Sequence, residues 1–417
     1  MEKYIIQGGN RLQGEVTVKG AKNSVLPILA ATIISGKVST ISNIPYLRDV
    51  QVMVKILNFL GAEIEFTNHT VTVDTSHIKR VDLPEEHVRE MRSSIFLMGA
   101  MLARFKEVNV ALPGGCEIGL RPIDLHLKAL KQMGVEIEES HGFLACKTKG
   151  LVGCDIQLDY PSVGATENII LAAVTAEGVT TIRNAAREPE IVDLQNYLNK
   201  VGAKVIGAGS SLIIIEGVNE LRSCRHDIIS DRIVAGTYMI AAAITKGEII
   251  LNNIVTDHLL SLISKLREVG VIIYTNGDYL KVMAPSKLYA LEMLQTLPYP
   301  GFPTDMQAQF MALLTMVNGT SIINETIFEN RFKHADELVR MGANIKTFAK
   351  IAVVKGVKGL TGAKVSSKDL RGGAALILAG LAAEGETVVD QIYHVNRGYE
   401  NLHGALRELG ANIKSIK

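Results

Sequence analysis

The sequence predicts a mixed α/β protein of two domains, each built from three copies of a helix–strand–helix–strand–strand module. Three observations carry that prediction. A Leu-x-x-apolar-Gly signature recurs six times, apolar helical runs stop at a glycine before a strand, and the last copy lacks one strand that the N-terminus can supply. The signature ends at Gly61, Gly134, Gly202, Gly270, Gly342 and Gly410, spaced 68 to 73 residues apart. Physically it is a helix closed by a glycine that can adopt the left-handed conformation, with a strand following directly.

The remaining elements keep the same phase. Ala173–Gly178, Ala241–Gly247, Leu314–Gly319 and Leu381–Gly385 each read as an apolar helix that stops before a strand. After each signature glycine comes a hairpin, as in Ala203–Ile206 then Leu212–Glu216, or Val271–Tyr274 then Tyr279–Met283. After Gly410 only residues 411–417 remain, enough for one strand and no return. Ile5-Ile6-Gln7-Gly8 with Leu12-Gln13-Gly14 matches Val353-Val354-Lys355-Gly356 with Leu360-Thr361-Gly362 at identical spacing. The N-terminal segment therefore completes the last module. Residues 21–229 form the first domain on this reading, and 1–20 plus 230–417 the second. A repeat of this length also suits an open solenoid, but a terminus that completes the far end implies closure.

Composition narrows the class. Apolar residues make up 47% and charged residues 21%, as in ordinary globular proteins. Lys and Arg total 44 against 43 Asp and Glu, which argues against a protein that coats nucleic acid or an anionic membrane. The longest uncharged apolar stretch, residues 233–245, falls short of the roughly 18 residues of a spanning helix. The start Met1-Glu2-Lys3 is too acidic for a secretion signal, and the four Cys show no paired spacing. These features predict a cytoplasmic protein with reduced thiols.

Polar residues gather where each module's first helix begins. The openings are Lys19–Ser24, Glu90–Ser94, Ser162–Asn168, Ser230–Arg232, Thr304–Gln307 and Lys368–Gly373. Helix capping explains Ser, Thr, Asp and Asn at such places. It does not ask for Lys22, Arg92, Arg232 and Arg371, since cations there oppose the helix dipole. Converging helix starts with added cations would suit an anionic substrate bearing phosphate or carboxylate. Between a strand and a helix, residues 112–126 hold Cys116 among glycines, with Arg121 and His126 close in sequence to draw it toward thiolate. Cys146, Cys154 and Cys224 read instead as small buried hydrophobes. Pro300–Asp305 is a rigid loop presenting a carboxylate that either caps a helix or takes a proton from a hydroxyl. Arg397 either clamps an anion in bidentate fashion or stands in solvent, and Arg331 holds a similar place in the fifth module. No phosphate loop, dinucleotide fingerprint or metal-binding His cluster is present, so no cofactor and no metal are expected.

The motifs Gly20–Asn23, Pro113–Cys116, Ser162–Thr166, Ala186–Glu190, Phe302–Gln309, Glu329–Phe332 and Arg397–Glu400 span the chain. Through them the sequence resembles the UDP-N-acetylglucosamine 1-carboxyvinyltransferases, of the EPSP synthase-like superfamily. The resemblance implies a two-domain inside-out α/β barrel that closes over its substrates. It also implies transfer of the enolpyruvyl group of phosphoenolpyruvate to the 3′-hydroxyl of UDP-N-acetylglucosamine, through a tetrahedral ketal. By the same resemblance, Lys22, Asn23, Arg121 and Arg397 bind phosphoenolpyruvate. Cys116 is the general acid toward the methylene carbon and can form a phospholactoyl adduct, and Asp305 is the base. Asn23, Arg92, Arg121, Pro122, Ile123, Asp124, Leu125, Ser162, Val163, Gly164, Asp305 and Ile327 contact the nucleotide sugar, with Asp369, Arg371 and Arg331 in support. The expected partners are these two small molecules, without nucleic acid or membrane, and the expected state is a monomer. Tyr160 stands where many members have Lys, and Arg48 replaces a frequent Lys. The sister activity on shikimate 3-phosphate and a catalytically silent binding module are the alternatives. The thiol-bearing loop argues against the first, and the retained Lys22, Cys116, Asp305 and Arg397 against the second.

Overall fold

Gly61, Gly134, Gly202, Gly270, Gly342 and Gly410 all sit at φ between 90° and 110°, so each ends its helix in a conformation that a Cβ would strain. The computed structural model describes residues 2–112 and 123–416. β1 (Lys3–Gln7) and β2 (Gln13–Thr17) lead the chain. The first module contains α1 (Lys22–Ser35), β3 (Val38–Ser42), α2 (Arg48–Leu60), β4 (Glu63–Thr67) and β5 (Thr70–Asp74). The second has α3 (Glu85–Glu90), α4 (Phe96–Phe105), β6 (Glu107–Ala111), α5 (Asp124–Gln132), β7 (Glu136–Ser140) and β8 (Phe143–Lys147). The third has β9 (Asp155–Gln157), α6 (Val163–Ala173), β10 (Val179–Arg183), α7 (Pro189–Lys200), β11 (Lys204–Ile206) and β12 (Leu212–Glu216), followed by β13 (Cys224–Asp227).

The fourth module comprises α8 (Arg232–Ile244), β14 (Glu248–Asn252), α9 (Leu260–Glu268), β15 (Ile272–Asn276) and β16 (Tyr279–Met283). The fifth comprises β17 (Met293–Gln295), α10 (Gln307–Leu314), β18 (Thr320–Asn324), α11 (Ala335–Arg340), β19 (Asn344–Phe348) and β20 (Ile351–Lys355). The sixth comprises β21 (Lys364–Ser366), α12 (Leu370–Ala382), β22 (Glu386–Asp390), α13 (Leu402–Glu408) and β23 (Asn412–Ile416).

One sheet plan repeats, with a parallel strand on one side of a central strand and an antiparallel hairpin on the other. The orders are β13-β3-β5-β4, β9-β10-β12-β11, β2-β14-β16-β15, β17-β18-β20-β19 and β21-β22-β1-β23. β1 thus lies between β22 and β23, the place β20 takes in the fifth sheet. The sheet β6-β8-β7 lacks the parallel strand, which shrinks to a single bridge from Asp82 to Asn109. Pro84 follows two residues on and has no N–H to extend that ladder.

The described residues divide into two compact units, 2–19 with 230–416, and 20–112 with 123–229. Each unit has its own apolar core. At the centre of one are α1, α4 and α6; at the centre of the other are α8, α10 and α12. These helices are apolar on all sides and are buried on all sides: every residue from Ser24 to Ile34 of α1 is covered. The outer helices bury one stripe, as α2 does with Val50, Met53, Ile56, Leu57 and Leu60. The strands bury alternate residues. Helices therefore lie inside and sheets outside, the inside-out arrangement. No helix among the described residues is long and apolar enough to cross a membrane.

Three details depart from the sequence reading. α4 begins at Phe96 after a tighter turn over Arg92–Ile95, so Arg92 precedes the α-helix. α1 has Ala21 at its N-cap, with no side-chain cap. After α8 the left-handed residue is Lys246 rather than Gly247. Gly247 is needed for closeness instead, since a Cβ there would sit 2.3 Å from the Leu12 carbonyl oxygen.

Candidate active site

In the unit holding residues 230–416, the starts of α8, α10 and α12 converge on one buried cluster. Asp231 and Asp369 are the N-caps of α8 and α12, accepting backbone N–H groups at 2.8 to 3.0 Å. The capping reading holds for these two. Asp305, just before α10, does something else: its Oδ1 accepts from Arg331 Nη2 at 2.8 Å and its Oδ2 from Arg371 Nη2 at 3.0 Å. The side chains of Arg331 and Arg371 are 3% and 5% exposed, against 27% for Asp305. The cations are buried beneath, and the carboxylate is the wetter member. Burial alone lowers the Arg371 pKa, but the charges of Asp305 and Asp231 outweigh it and hold the guanidinium above its ordinary value. The Asp305 carbonyl oxygen accepts from Gln309 Nε2 at 2.9 Å, and the same amide reaches Tyr399 Oη at 3.1 Å. Arg397 and Ile327 are half-buried. Arg397 belongs to the short turn Val395–Arg397, which packs on α12.

His334 lies under this cluster, and neither of its ring nitrogens makes a well-formed hydrogen bond among the described residues. Its pKa is lowered to about 4, by burial first and then by Arg331, against the pull of Asp369. The helix starts here carry Asp231, Asp305 and Asp369 beside Arg331 and Arg371, so the charge is mixed rather than uniformly positive. Arg232 turns its guanidinium over the Tyr299 ring, 5.6 Å from the centroid.

In the other unit, α1, α4 and α6 run parallel. Arg104 Nη1 donates to the Ile33 and Thr75 carbonyls at 2.9 and 2.7 Å, and Thr175 Oγ1 donates to Ala103 at 2.7 Å. These bonds join the C-terminal ends, so the N-terminal ends gather opposite. There Lys22 Nζ lies 3.3 Å from Asp49 Oδ2, and Asn23 is exposed beside it. Ser162 caps α6 by accepting from Ala165 N at 3.3 Å, with Val163 and Gly164 half-buried. Asp124 is exposed at the start of α5, flanked by half-buried Ile123 and Leu125. His126 is buried, and its Nδ1 is 3.0 Å from Asn168 Nδ2. Gly99 N donates to Asn168 Oδ1 at 2.7 Å, which orients the amide so that its NH2 donates to His126. The His126 proton then sits on Nε2, next to Gly164, where a Cβ would come within 3.4 Å of that nitrogen.

Burial, followed by the Arg92 charge, lowers the His126 pKa to about 4. His126 is neutral at pH 7 and adds no positive charge to the thiol, contrary to the sequence reading. Cys146 fits the buried-hydrophobe reading, its thiol pushed up to about 11 by burial, whereas Cys154 and Cys224 depart from it and are only half-buried. Cys116, Arg121 and Pro122 lie outside the described residues. The arrangement offers a carboxylate on a cationic bed in one unit, and a lysine, an exposed amide and a neutral imidazole donor in the other. Sequence reasoning missed His334 and the buried Glu325 described below, and it took Asn168 only as part of a polar helix opening. His334 and Glu325 sit among ordinary polar neighbours in sequence, which carry no signal without contacts.

Two units of three modules, with helices inside and sheets outside, define the enolpyruvyl transferase class of fold. The family model for EPSP synthase (3-phosphoshikimate 1-carboxyvinyltransferase) matches residues 6–406. The enolpyruvyl transferase NikO from Streptomyces tendae superposes with a TM-score of 0.91 at 25% identity, covering 99% of this chain and 98% of that one. EPSP synthase from Acinetobacter baumannii superposes with a TM-score of 0.77 over all of both chains at 18% identity, a likeness of fold alone. Sequence similarity goes further with UDP-N-acetylglucosamine 1-carboxyvinyltransferase 2 of Caldanaerobacter subterraneus subsp. tengcongensis, 55% identical over 100% of both chains. A second relative, UDP-N-acetylglucosamine 1-carboxyvinyltransferase 1 of Carboxydothermus hydrogenoformans, is 52% identical over 100% of this chain and 99% of its own. The chain belongs to the UDP-N-acetylglucosamine 1-carboxyvinyltransferase family.

Proposed function

We propose that the protein transfers the enolpyruvyl group of phosphoenolpyruvate to the 3′-hydroxyl of UDP-N-acetylglucosamine and releases phosphate, the step that commits the nucleotide sugar to peptidoglycan precursors. One observation carries this reading: full-length identity of 50 to 55% to relatives of that name. The family model bears the name of the shikimate enzyme, but the solved enzyme of that kind is only 18% identical. The site geometry suits the reaction, because Asp305 accepts on both oxygens as a carboxylate does and is the more exposed partner.

In the first half-reaction Asp305 takes the 3′-hydroxyl proton as that oxygen bonds to C2 of phosphoenolpyruvate. Cys116 delivers a proton to C3, so the methylene becomes a methyl and the adduct is a tetrahedral ketal still carrying phosphate. In the second, a methyl proton leaves, the C2–C3 double bond re-forms and phosphate departs. Lys22, Arg121 and Arg397 offset the charge of phosphoenolpyruvate, with Asn23 beside them. Arg92, Arg121, Pro122, Ile123, Asp124, Leu125, Ser162, Val163, Gly164 and Ile327 hold the nucleotide sugar. Asp369 keeps the α12 start in place for Arg371. The enzyme works as a cytoplasmic monomer.

The deciding experiment is phosphate release from phosphoenolpyruvate with each acceptor in turn. Release with UDP-N-acetylglucosamine and none with shikimate 3-phosphate is expected; silence with the nucleotide sugar sinks the assignment. Fosfomycin should add once to the protein, at Cys116, and a Cys116→Ser variant should stay unmodified by mass spectrometry.

A further inference from the structure

Glu325 follows β18 and is fully buried, yet it is nowhere near an apolar role. Its Oε1 accepts from Thr296 Oγ1 at 2.9 Å, Ile327 N at 2.9 Å and Phe328 N at 3.3 Å. Its Oε2 accepts from Thr304 Oγ1 at 2.9 Å. Every one of these neighbours donates, which suits a carboxylate and leaves it well satisfied in a place where an unpaired charge would be costly.

What the bonds hold is more telling than their number. Thr304 directly precedes Asp305. Ile327 and Phe328 begin the segment that leads to Arg331, whose guanidinium lies over the Phe328 ring, 5.4 Å from the centroid. Arg331 Nη2 in turn reaches Asp305 Oδ1 at 2.8 Å and the Thr304 carbonyl at 3.4 Å. One carboxylate therefore ties the backbone before Asp305 to the backbone that carries its guanidinium partner. A well-packed apolar side chain could brace this turn without burying a charge, but it could not direct four hydrogen bonds.

We infer that Glu325 is a positioning residue for the reaction: it fixes the separation of Asp305 from Arg331 and with it the direction of the Asp305 carboxylate. The inference rests on Asp305 acting as the base. Its test measures kcat and KM for phosphate release from phosphoenolpyruvate and UDP-N-acetylglucosamine, alongside thermal melts by circular dichroism. Displacing a reacting group by about 1 Å can cost on the order of 100-fold, so Glu325→Ala should lower kcat by about 30-fold while KM for the nucleotide sugar changes by less than about threefold. Glu325→Gln keeps an acceptor for Thr296, Ile327 and Phe328, and the Thr304 hydroxyl can turn to accept from its amide; kcat should stay within about threefold. Thr304→Ala should lower kcat by about fivefold with its melting unchanged, which keeps the inference testable if Glu325→Ala does not fold. The double variant should be no worse than Glu325→Ala alone, because Thr304 acts through Glu325. An active wild type with undiminished kcat per folded Glu325→Ala or Thr304→Ala overturns the inference, as does multiplication of the two losses in the double variant. A wild type inactive with the nucleotide sugar overturns the functional reading itself.

Discussion

Arg371 Nη2 lies 3.0 Å from Asp305 Oδ2, a contact that joins the start of α12 to the turn before α10. Arg331 completes the clamp on the other oxygen, and both guanidiniums are almost fully covered. Two buried cations thus share one carboxylate that still faces water. Asp305→Asn keeps the shape and removes the charge. Stability should fall by about 1–3 kcal/mol, below the usual cost of breaking a fully buried pair because Asp305 is partly exposed. If Asp305 is the base proposed above, phosphate release should fall by roughly 100-fold or more, since the hydroxyl would lose its proton acceptor. Melting curves and initial rates at pH 7.5 check both, and near-normal turnover would remove Asp305 from the chemistry.

Lys22 is the mirror case, a half-buried cation over the buried carboxylate of Asp49 at 3.3 Å. Lys22→Gln leaves Asp49 with a neutral neighbour that can still donate. Folding should therefore lose only about 1 kcal/mol. On the proposed role of Lys22, affinity for phosphoenolpyruvate should drop far more, by about 100-fold in KM, because a charge facing a dianionic phosphate would be lost. Steady-state kinetics with phosphoenolpyruvate varied, set beside a denaturant melt, separate the two effects. Comparable losses in both would show that the lysine is structural.

The periodic part of the fold is legible because it is local. A helix that ends at a left-handed glycine before a strand leaves its mark in five residues, and Gly61 to Gly410 repeat that mark six times. The central role of β1 is legible for the same reason, since Ile5-Ile6 and Val353-Val354 occupy matching strands. The site is legible only residue by residue. Asp305, Arg331 and Arg371 stand out singly, but their meeting spans 26 and 66 residues of sequence and needs the packed helices to bring it about. Burial is not legible at all for lone polar residues. His126 reads as a cation beside Cys116, and burial makes it neutral. Glu325 and His334 carry no mark in the sequence, and both are covered.

Two of the buried histidines, His126 and His334, predict how stability responds to acid. His126 and His334 have folded pKa values near 4 against about 6.5 when unfolded. Between those values the unfolded chain binds protons that the fold refuses, so stability is lost as pH falls from about 6.5 to about 4. Each contributes on the order of 3 kcal/mol across that window. The groups facing His334 are Asp369, Arg331 and Asp336, and burial outweighs the two carboxylates. His334→Met removes one titrating site and two buried ring nitrogens. The drop in melting temperature from pH 7 to pH 5 should be several degrees smaller in the variant than in the wild type. Parallel pH profiles would show that His334 does not stay neutral in the fold.

Glu167 predicts the opposite response. It lies on the covered face of α6 with no hydrogen bond to Oε1, and its pKa is raised well above 4.5, by burial first and then by Glu190 and Glu188. Above pH 4.5 the unfolded chain releases a proton that the fold retains, up to the raised folded value. Stability contributed by this group therefore declines as pH rises through that window. Glu167→Gln has the same shape and nothing to ionise. The variant should melt higher than the wild type at pH 8, and the two curves should draw together as pH falls toward 4.5. A variant that melts lower than the wild type at pH 8 would mean that Glu167 is ionised in the fold and held by a cation, and the burial argument would fail.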